Sequence, residues 1–158
     1  MANTQLYWED VQEGQEVPPF GQKVGYMELN RFAGANNELV PIHMDPDYAK
    51  NVAKLPDVII MGNLKLAYIA NALTGWAGDG GWIRKIAIEY RKMDMVNTTI
   101  TAKAKVTKKL QQDGKHLIEL DVWVENEAGE VTTPGSAVVS LPSRGGQQSR
   151  LPEERPAL

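Results

Sequence analysis

Residues 62–90 read GNLKLAYIANALTGWAGDGGWIRKIAIEY, and within them the period of the hydrophobic residues changes. Over residues 64–76 apolar side chains run nearly all the way round a helical wheel: Leu64, Leu66, Ala67, Tyr68, Ile69, Ala70, Ala72 and Leu73. A helix with no continuous polar face is buried on most sides. Gly75, Gly78, Gly80 and Gly81 are expected to end it. From Trp82 the period is two, with Trp82, Arg84, Ile86, Ile88 and Tyr90 alternating with polar positions as in a strand.

The same alternation continues downstream. Ile100, Ala102, Ala104 and Val106 are interleaved with threonines and lysines, Asp113-Gly114 is a hairpin signal, and Ile118, Leu120, Val122 and Val124 form the next apolar row. Ala128-Gly129 turns the chain into a last strand over residues 131–141. At least four strands with short connections predict an antiparallel sheet with one solvated face. A buried helix ahead of such a meander predicts an α+β fold in which the sheet wraps around a central helix.

Upstream, residues 1–20 read as short extended pieces and turns. A helix is expected over residues 27–35, where Leu29, Phe32 and Ala33 fall at helical spacing before Asn36-Asn37. Asp45 is the expected N-cap of a second short helix, with Pro46 in its first position and Tyr48, Ala49, Val52 and Ala53 along it. Residues 142–158, PSRGGQQSRLPEERPAL, are polar, aperiodic and rich in Gly and Pro, so the domain is expected to span 1–141 and the remainder to be a disordered tail.

The 158 residues suffice for one domain with a real core, and 42% hydrophobic with 23% charged residues is a globular composition. The chain has no cysteine, which excludes thiol catalysis, cysteine metal sites and disulfides. A net charge of −3 argues against a nucleic-acid binder, which needs a basic stripe. No run approaches the roughly 18 apolar residues of a membrane span, and MANTQLYWED lacks the basic and apolar regions of a signal peptide, so a cytoplasmic protein is expected. No cluster has metal-ligand spacing.

Residues 38–46, ELVPIHMDP, are the candidate chemical segment. Glu38 lies five residues before His43, one of 2 histidines, and such a pair can divide acid and base roles. The competing reading makes Glu38 a solvated loop acid and His43 a partner of Asp45. The backbone N–H groups at Gly62-Asn63, where the apolar run 58–61 enters the helix, suit either an oxyanion or a simple cap. Arg84, Lys85, Arg91 and Lys92 form a basic group that suits the phosphates of a carrier or a solvent face. His116 reads as a structural edge residue. Lys65, the one charge in the apolar helix, is expected to snorkel or to face a subunit boundary.

Taken in order, Trp8-Glu9-Asp10-Val11 with Gly14, Arg31-Phe32-Ala33-Gly34-Ala35, Pro41-Ile42-His43-Met44-Asp45-Pro46, Gly62, Leu73-Thr74-Gly75-Trp76-Ala77-Gly78, Arg84-Lys85 and Tyr90-Arg91 resemble the MaoC-like hydratase/dehydratase family of hot-dog fold proteins. The resemblance covers roughly residues 5–142. It implies addition or removal of water at the 2,3 positions of an acyl thioester of coenzyme A or acyl carrier protein, usually R-specific. By position it puts the catalytic pair on Glu38 and His43 and the oxyanion contact on the Gly62 N–H.

Glu38 stands where that family's motif has Asp, Val40 where it has Asn, and Met61 and Asn63 flank Gly62 where His or Pro and Met are common. Val40, Met61 and Asn63, with Arg84, Lys85 and Arg91, are the expected substrate-binding residues. No cofactor is expected, coenzyme A or phosphopantetheine entering as part of the substrate. The alternative implied by Glu38 and Val40 is a non-catalytic, pocket-forming subunit of a heteromeric hot-dog dehydratase, with a thioesterase of the same fold behind it. Either way at least a dimer is expected, as a homodimer, a higher homo-oligomer or a hetero-oligomer with another hot-dog subunit.

Overall fold

A computed structural model describes residues 5–146 of the chain. Five strands, β1 (Glu16–Val24), β2 (Trp82–Ile88), β3 (Thr98–Gln112), β4 (Lys115–Asn126) and β5 (Val131–Ser140), form one antiparallel sheet in the order β1-β3-β4-β5-β2. Three helices, α1 (Tyr26–Asn36), α2 (Pro46–Asn51) and α3 (Gly62–Ala77), lie between β1 and β2 in sequence. The sheet curls around α3, which touches all five strands.

The core is the pattern read from the sequence, brought together. Leu64, Tyr68, Ile69, Ala72 and Leu73 of α3 meet Ile100, Ala102, Ala104 and Val106 of β3, with Ile118, Leu120, Val122 and Val124 of β4 behind them, and all are buried. Each fully buried Leu, Ile or Val contributes about 1.5–3 kcal/mol of transfer free energy, so this layer dominates the stability of the domain. The β3–β4 hairpin turns at Asp113-Gly114, both at positive φ (52° and 72°), as the type I′ geometry requires. Leu29 and Ala33 are the buried positions of α1, and Asn37 ends it in the left-handed region at φ 53°.

Several expectations change. The strand β1 replaces the short extended pieces expected over residues 1–20: Pro18 and Pro19 sit at a register shift between Val17 and Phe20, on a sheet edge where a missing N–H costs little. Gly75 lies inside α3, and the stop is made by Gly78 at φ 71°. In β2 a register shift between Ile83 and Lys85 resets the alternation. Ile83, Ile86 and Ile88 pack on the core, whereas Trp82 and Tyr90 are exposed. α2 is shorter than expected and buries only Ala49.

Lys65 neither snorkels nor faces solvent. It is 2% exposed, its ammonium is 2.5 Å from Asp94 Oδ2, and it donates to Lys92 O at 2.9 Å. Thr132, also buried, donates to the same Asp94 oxygen at 2.7 Å. A buried charge needs a counter-charge and a full set of hydrogen bonds, and the link between α3 and the β2–β3 connection supplies both.

Residues 142–146 fold back on the 3-10 turn Trp8–Asp10: Trp8 N–H donates to Pro142 O at 2.9 Å and Arg144 meets Asp10 at 2.6 Å. The rest of the expected tail, residues 147–158, lies outside the described residues. Among the described residues no helix is long and apolar enough to cross a membrane, and no group of three His, Cys, Asp or Glu side chains is placed to hold a metal ion.

Candidate active site

The site begins at the end of α1. Asn37 turns the chain out of the helix, and Val40 caps a 3-10 turn, Pro41–His43, whose proline fixes its first φ. Asp45 then caps α2, accepting from Asp47 N at 2.9 Å and Tyr48 N at 3.1 Å. It is therefore committed to the backbone and is not the partner of His43.

His43 is held from the other side. Its Nδ1 lies 2.8 Å from Ile59 O. A carbonyl only accepts, so Nδ1 carries a proton and Nε2 is the nitrogen turned toward Glu38. That Nε2 is 3.8 Å from Glu38 Oε1, with the two side chains 12% and 24% exposed. At 3.8 Å they share no direct hydrogen bond, yet one oxygen atom can sit within about 2.8 Å of both. The other carboxylate oxygen, Oε2, accepts from Asn36 Nδ2 at 2.9 Å and Asn63 Nδ2 at 3.1 Å.

Beside the pair is the N-terminus of α3. Met61 O takes the first two helical bonds, from Leu64 and Lys65, so among the described residues the N–H groups of Gly62 and Asn63 have no backbone acceptor. They carry the positive end of the helix dipole. The Tyr90 ring lies across Gly62: a Cβ there would come within 2.8 Å of Tyr90 Cε2 and Cζ. A side chain at 62 would therefore displace the ring. Tyr90 is 53% exposed, and its hydroxyl lies 3.4 Å from Asn63 Oδ1. Desolvation, and secondarily the Glu38 carboxylate, hold its pKa above the usual phenol value.

His43 and Gly62 open on a cleft of about 490 Å³ whose wall they share with Tyr90, Arg91 and the apolar Ile59, Met93 and Met95, while Glu38 and Asn63 are not among its lining residues. The expected site residues divide accordingly. Glu38, His43, Gly62 and Asn63 converge, and Arg91 and Lys92 stand on the cleft wall, paired with Glu89 and Glu130. Met61 is fully buried beneath the helix start and Val40 turns its side chain outward, 47% exposed. Arg84 donates to Ser140 Oγ at 2.9 Å and, with Lys85, is absent from this cleft's lining. Tyr90, Met93 and Met95 had no assigned role in the sequence reading. They lie past the end of β2, where no periodic signal remains to say which way a side chain turns.

The profile of the MaoC like domain matches residues 12–128. The chain belongs to the MaoC-like domain family. Among curated relatives, the (R)-specific enoyl-CoA hydratase of Aeromonas caviae is 27% identical over 136 residues, 85% of this chain and 98% of that protein. The solved structure of the A. caviae (R)-hydratase involved in PHA biosynthesis superposes with a TM-score of 0.77 at 25% identity, covering 85% of this chain and 99% of that one. R-hydratase PhaJ1 of Pseudomonas aeruginosa in its unliganded form gives 0.79 at 21% identity over 98% of this chain and 96% of that one. The ChsH1-ChsH2 complex of Mycobacterium tuberculosis gives 0.71 at 20% identity, covering 82% and 98%. The MaoC-like chain therefore has the hot-dog fold expected for it, with α3 as the central helix.

The glycine at the head of α3 yields a direct test. Gly62→Ala adds a methyl where the Tyr90 ring lies, and the exposed ring can move outward at little cost to the fold. Alanine is also the better helix former, by roughly 0.5–1 kcal/mol. The expected result is an unchanged or slightly raised Tm, with turnover on the substrate proposed below falling by up to about 10²-fold as the cleft wall shifts by some 1 Å. Melting curves beside steady-state rates check it.

Proposed function

We propose that this protein is a hydro-lyase that hydrates 2-enoyl thioesters to 3-hydroxyacyl thioesters, or runs the reverse dehydration, with Glu38 and His43 as the acid–base pair. One observation carries the reading: a carboxylate and an imidazole held through its Nδ1 stand 3.8 Å apart at the start of α3, where the imidazole and Gly62 line a largely apolar cleft. The kinship with an (R)-specific enoyl-CoA hydratase supports the same reaction.

The geometry suits the chemistry. A water held between Glu38 Oε1 and His43 Nε2 is placed to attack C3. As its oxygen bonds to C3, the C2=C3 electrons move toward the thioester carbonyl, and the charge on that oxygen is stabilised by the Gly62 N–H and the α3 dipole. The pair takes one proton from the water and gives one to C2, so it ends each turnover in its starting protonation state. Water has then been added as OH at C3 and H at C2. Ile59, Met93 and Met95 offer the acyl chain an apolar wall, and Arg91 and Lys92 offer charge to the phosphates of coenzyme A or phosphopantetheine, which arrive as part of the substrate. Arg84 and Lys85 reach the carrier only from outside this cleft.

The pocket-forming subunit reading rests on Glu38 in place of Asp and on Val40, which offers the carboxylate no polar contact. Asn63 contacts that carboxylate instead, which favours catalysis. Leu66, Ala67, Ala70, Asn71 and Thr74 form a stripe of α3 that the sheet leaves partly open, and a second hot-dog subunit, identical or not, is the partner we assign to it. The reading includes the cytoplasmic location expected at the outset.

Purified protein is expected to hydrate crotonyl-CoA or a member of a panel of longer, branched and aromatic 2-enoyl-CoAs, followed by loss of the enoyl thioester absorbance. Inertness toward the whole panel overturns the reading.

A further inference from the structure

We propose that Asn63 is a positioning residue: its side-chain amide, set at the start of α3, aims the Glu38 carboxylate at His43. The proposal rests on the assignment of Glu38 and His43 as the acid–base pair and adds a residue that acts through them.

Glu38 sits on a loop, one residue past the end of the α1 cap, and its long side chain has three rotatable bonds whose freedom a reactive geometry must restrain. Two amides supply that restraint. Asn36 Nδ2, at 2.9 Å, belongs to the last residue of α1, two positions before Glu38. Asn63 Nδ2, at 3.1 Å, is 25 residues away, and it is the hydrogen bond that ties the carboxylate to the central helix.

Both amides bond to Oε2, which leaves Oε1 for the side facing His43 Nε2. Tyr90 meets the other end of the Asn63 amide. Its hydroxyl donates to Asn63 Oδ1 at 3.4 Å, while the NH₂ group faces the carboxylate. Val40, in the loop itself, has no side-chain donor to do this. The titratable groups facing Glu38 are His43 from the Pro41–His43 turn and Tyr90 from beyond β2.

A donor to a carboxylate favours its ionised form, so losing the donor raises the carboxyl pKa, and replacing it by a second carboxylate raises it further. Asn63 is exposed, and its substitution leaves the core intact. The test uses Asn63→Leu and the isosteric Asn63→Asp, with two readouts. The first is the Glu38 carboxyl titration by ¹³C NMR, assigned with Glu38→Gln. The second is kcat, KM and the acid limb of the pH–rate profile on the best enoyl-CoA.

The expected result is an upward shift of the Glu38 titration in Asn63→Leu and a larger one in Asn63→Asp. The acid limb moves with it, and kcat falls by roughly tenfold or more in Asn63→Leu while KM stays within about twofold, the loss of a hydrogen bond to a charged group. A Glu38 titration that is the same in parent and both variants overturns the proposal, as does a fall confined to KM. Because the titration needs no turnover, an inert parent enzyme would refute the proposed reaction and still leave Asn63's hold on Glu38 to be judged.

Discussion

His43→Ala is expected to abolish most of the turnover proposed for this protein while leaving the fold in place, with kcat on the preferred enoyl-CoA falling by about 10²–10⁴-fold, the range for removal of a positioned acid–base group. The structure explains why stability changes little. His43 is anchored by a single bond from Nδ1 to Ile59 O, at the edge of the cleft and outside the hydrophobic core. Glu38→Gln keeps the shape and the contacts of the side chain but removes its charge, and a loss of similar size is expected. The two effects are not expected to add, because in the proposed reaction the two side chains handle the same protons. Steady-state rates of both single variants and of the double variant measure this. A His43→Ala protein with the parent's kcat would rule out the imidazole as a participant.

The largest effect on stability is expected from Lys65→Met. Methionine fits the volume, but the change strips Asp94 of its counter-ion in a place where that carboxylate is 3% exposed. Removing one partner of a buried pair costs about 3–5 kcal/mol, on the order of a 10 °C fall in Tm for a chain of this size. Thr132 and its single hydroxyl cannot replace an ammonium. The double variant Lys65→Met/Asp94→Leu removes both charges and is expected to recover most of the loss, since an apolar pair of similar volume is often as stable as the ion pair it replaces. Thermal and urea denaturation of the three proteins test it, and a single variant as stable as the parent would show that the pair is not buried in solution.

The pair also touches function. Lys65 donates to Lys92 O, in the segment that carries Tyr90, Arg91 and Met93 along the cleft. The double variant, stable but without this tether, is therefore the one in which a looser cleft wall can be measured apart from folding.

The fold was legible because its signals are collective. The apolar pattern of residues 64–76 and the period-two rows at Ile100–Val106 and Ile118–Val124 repeat the same instruction many times, and both strand rows are buried as read, while in α3 Leu64, Tyr68, Ile69, Ala72 and Leu73 are buried and Leu66, Ala67 and Ala70 stay partly open. Single-residue signals fared differently. Pro18 and Pro19 hid a nine-residue edge strand, because a proline's cost depends on which strand has a neighbour, and that is a tertiary fact. Arg84 was placed by parity, but the register shift in β2 changed the parity and turned it to Ser140.

By itself the sequence determined the α+β architecture, the central helix, the candidate pair Glu38 and His43, and the glycine at the head of α3. These follow from periodicity, spacing and resemblance, which are properties of the order of residues. Only the tertiary structure decided that Ile59 holds His43 through its Nδ1, that Asn63 rather than Val40 holds the carboxylate, that Tyr90 lies over Gly62, and that Lys65 meets Asp94 29 positions along the chain. Each of these joins residues far apart in sequence through hydrogen bonds or contacts only a few ångströms long, and such distances are set by how the helix seats in the sheet.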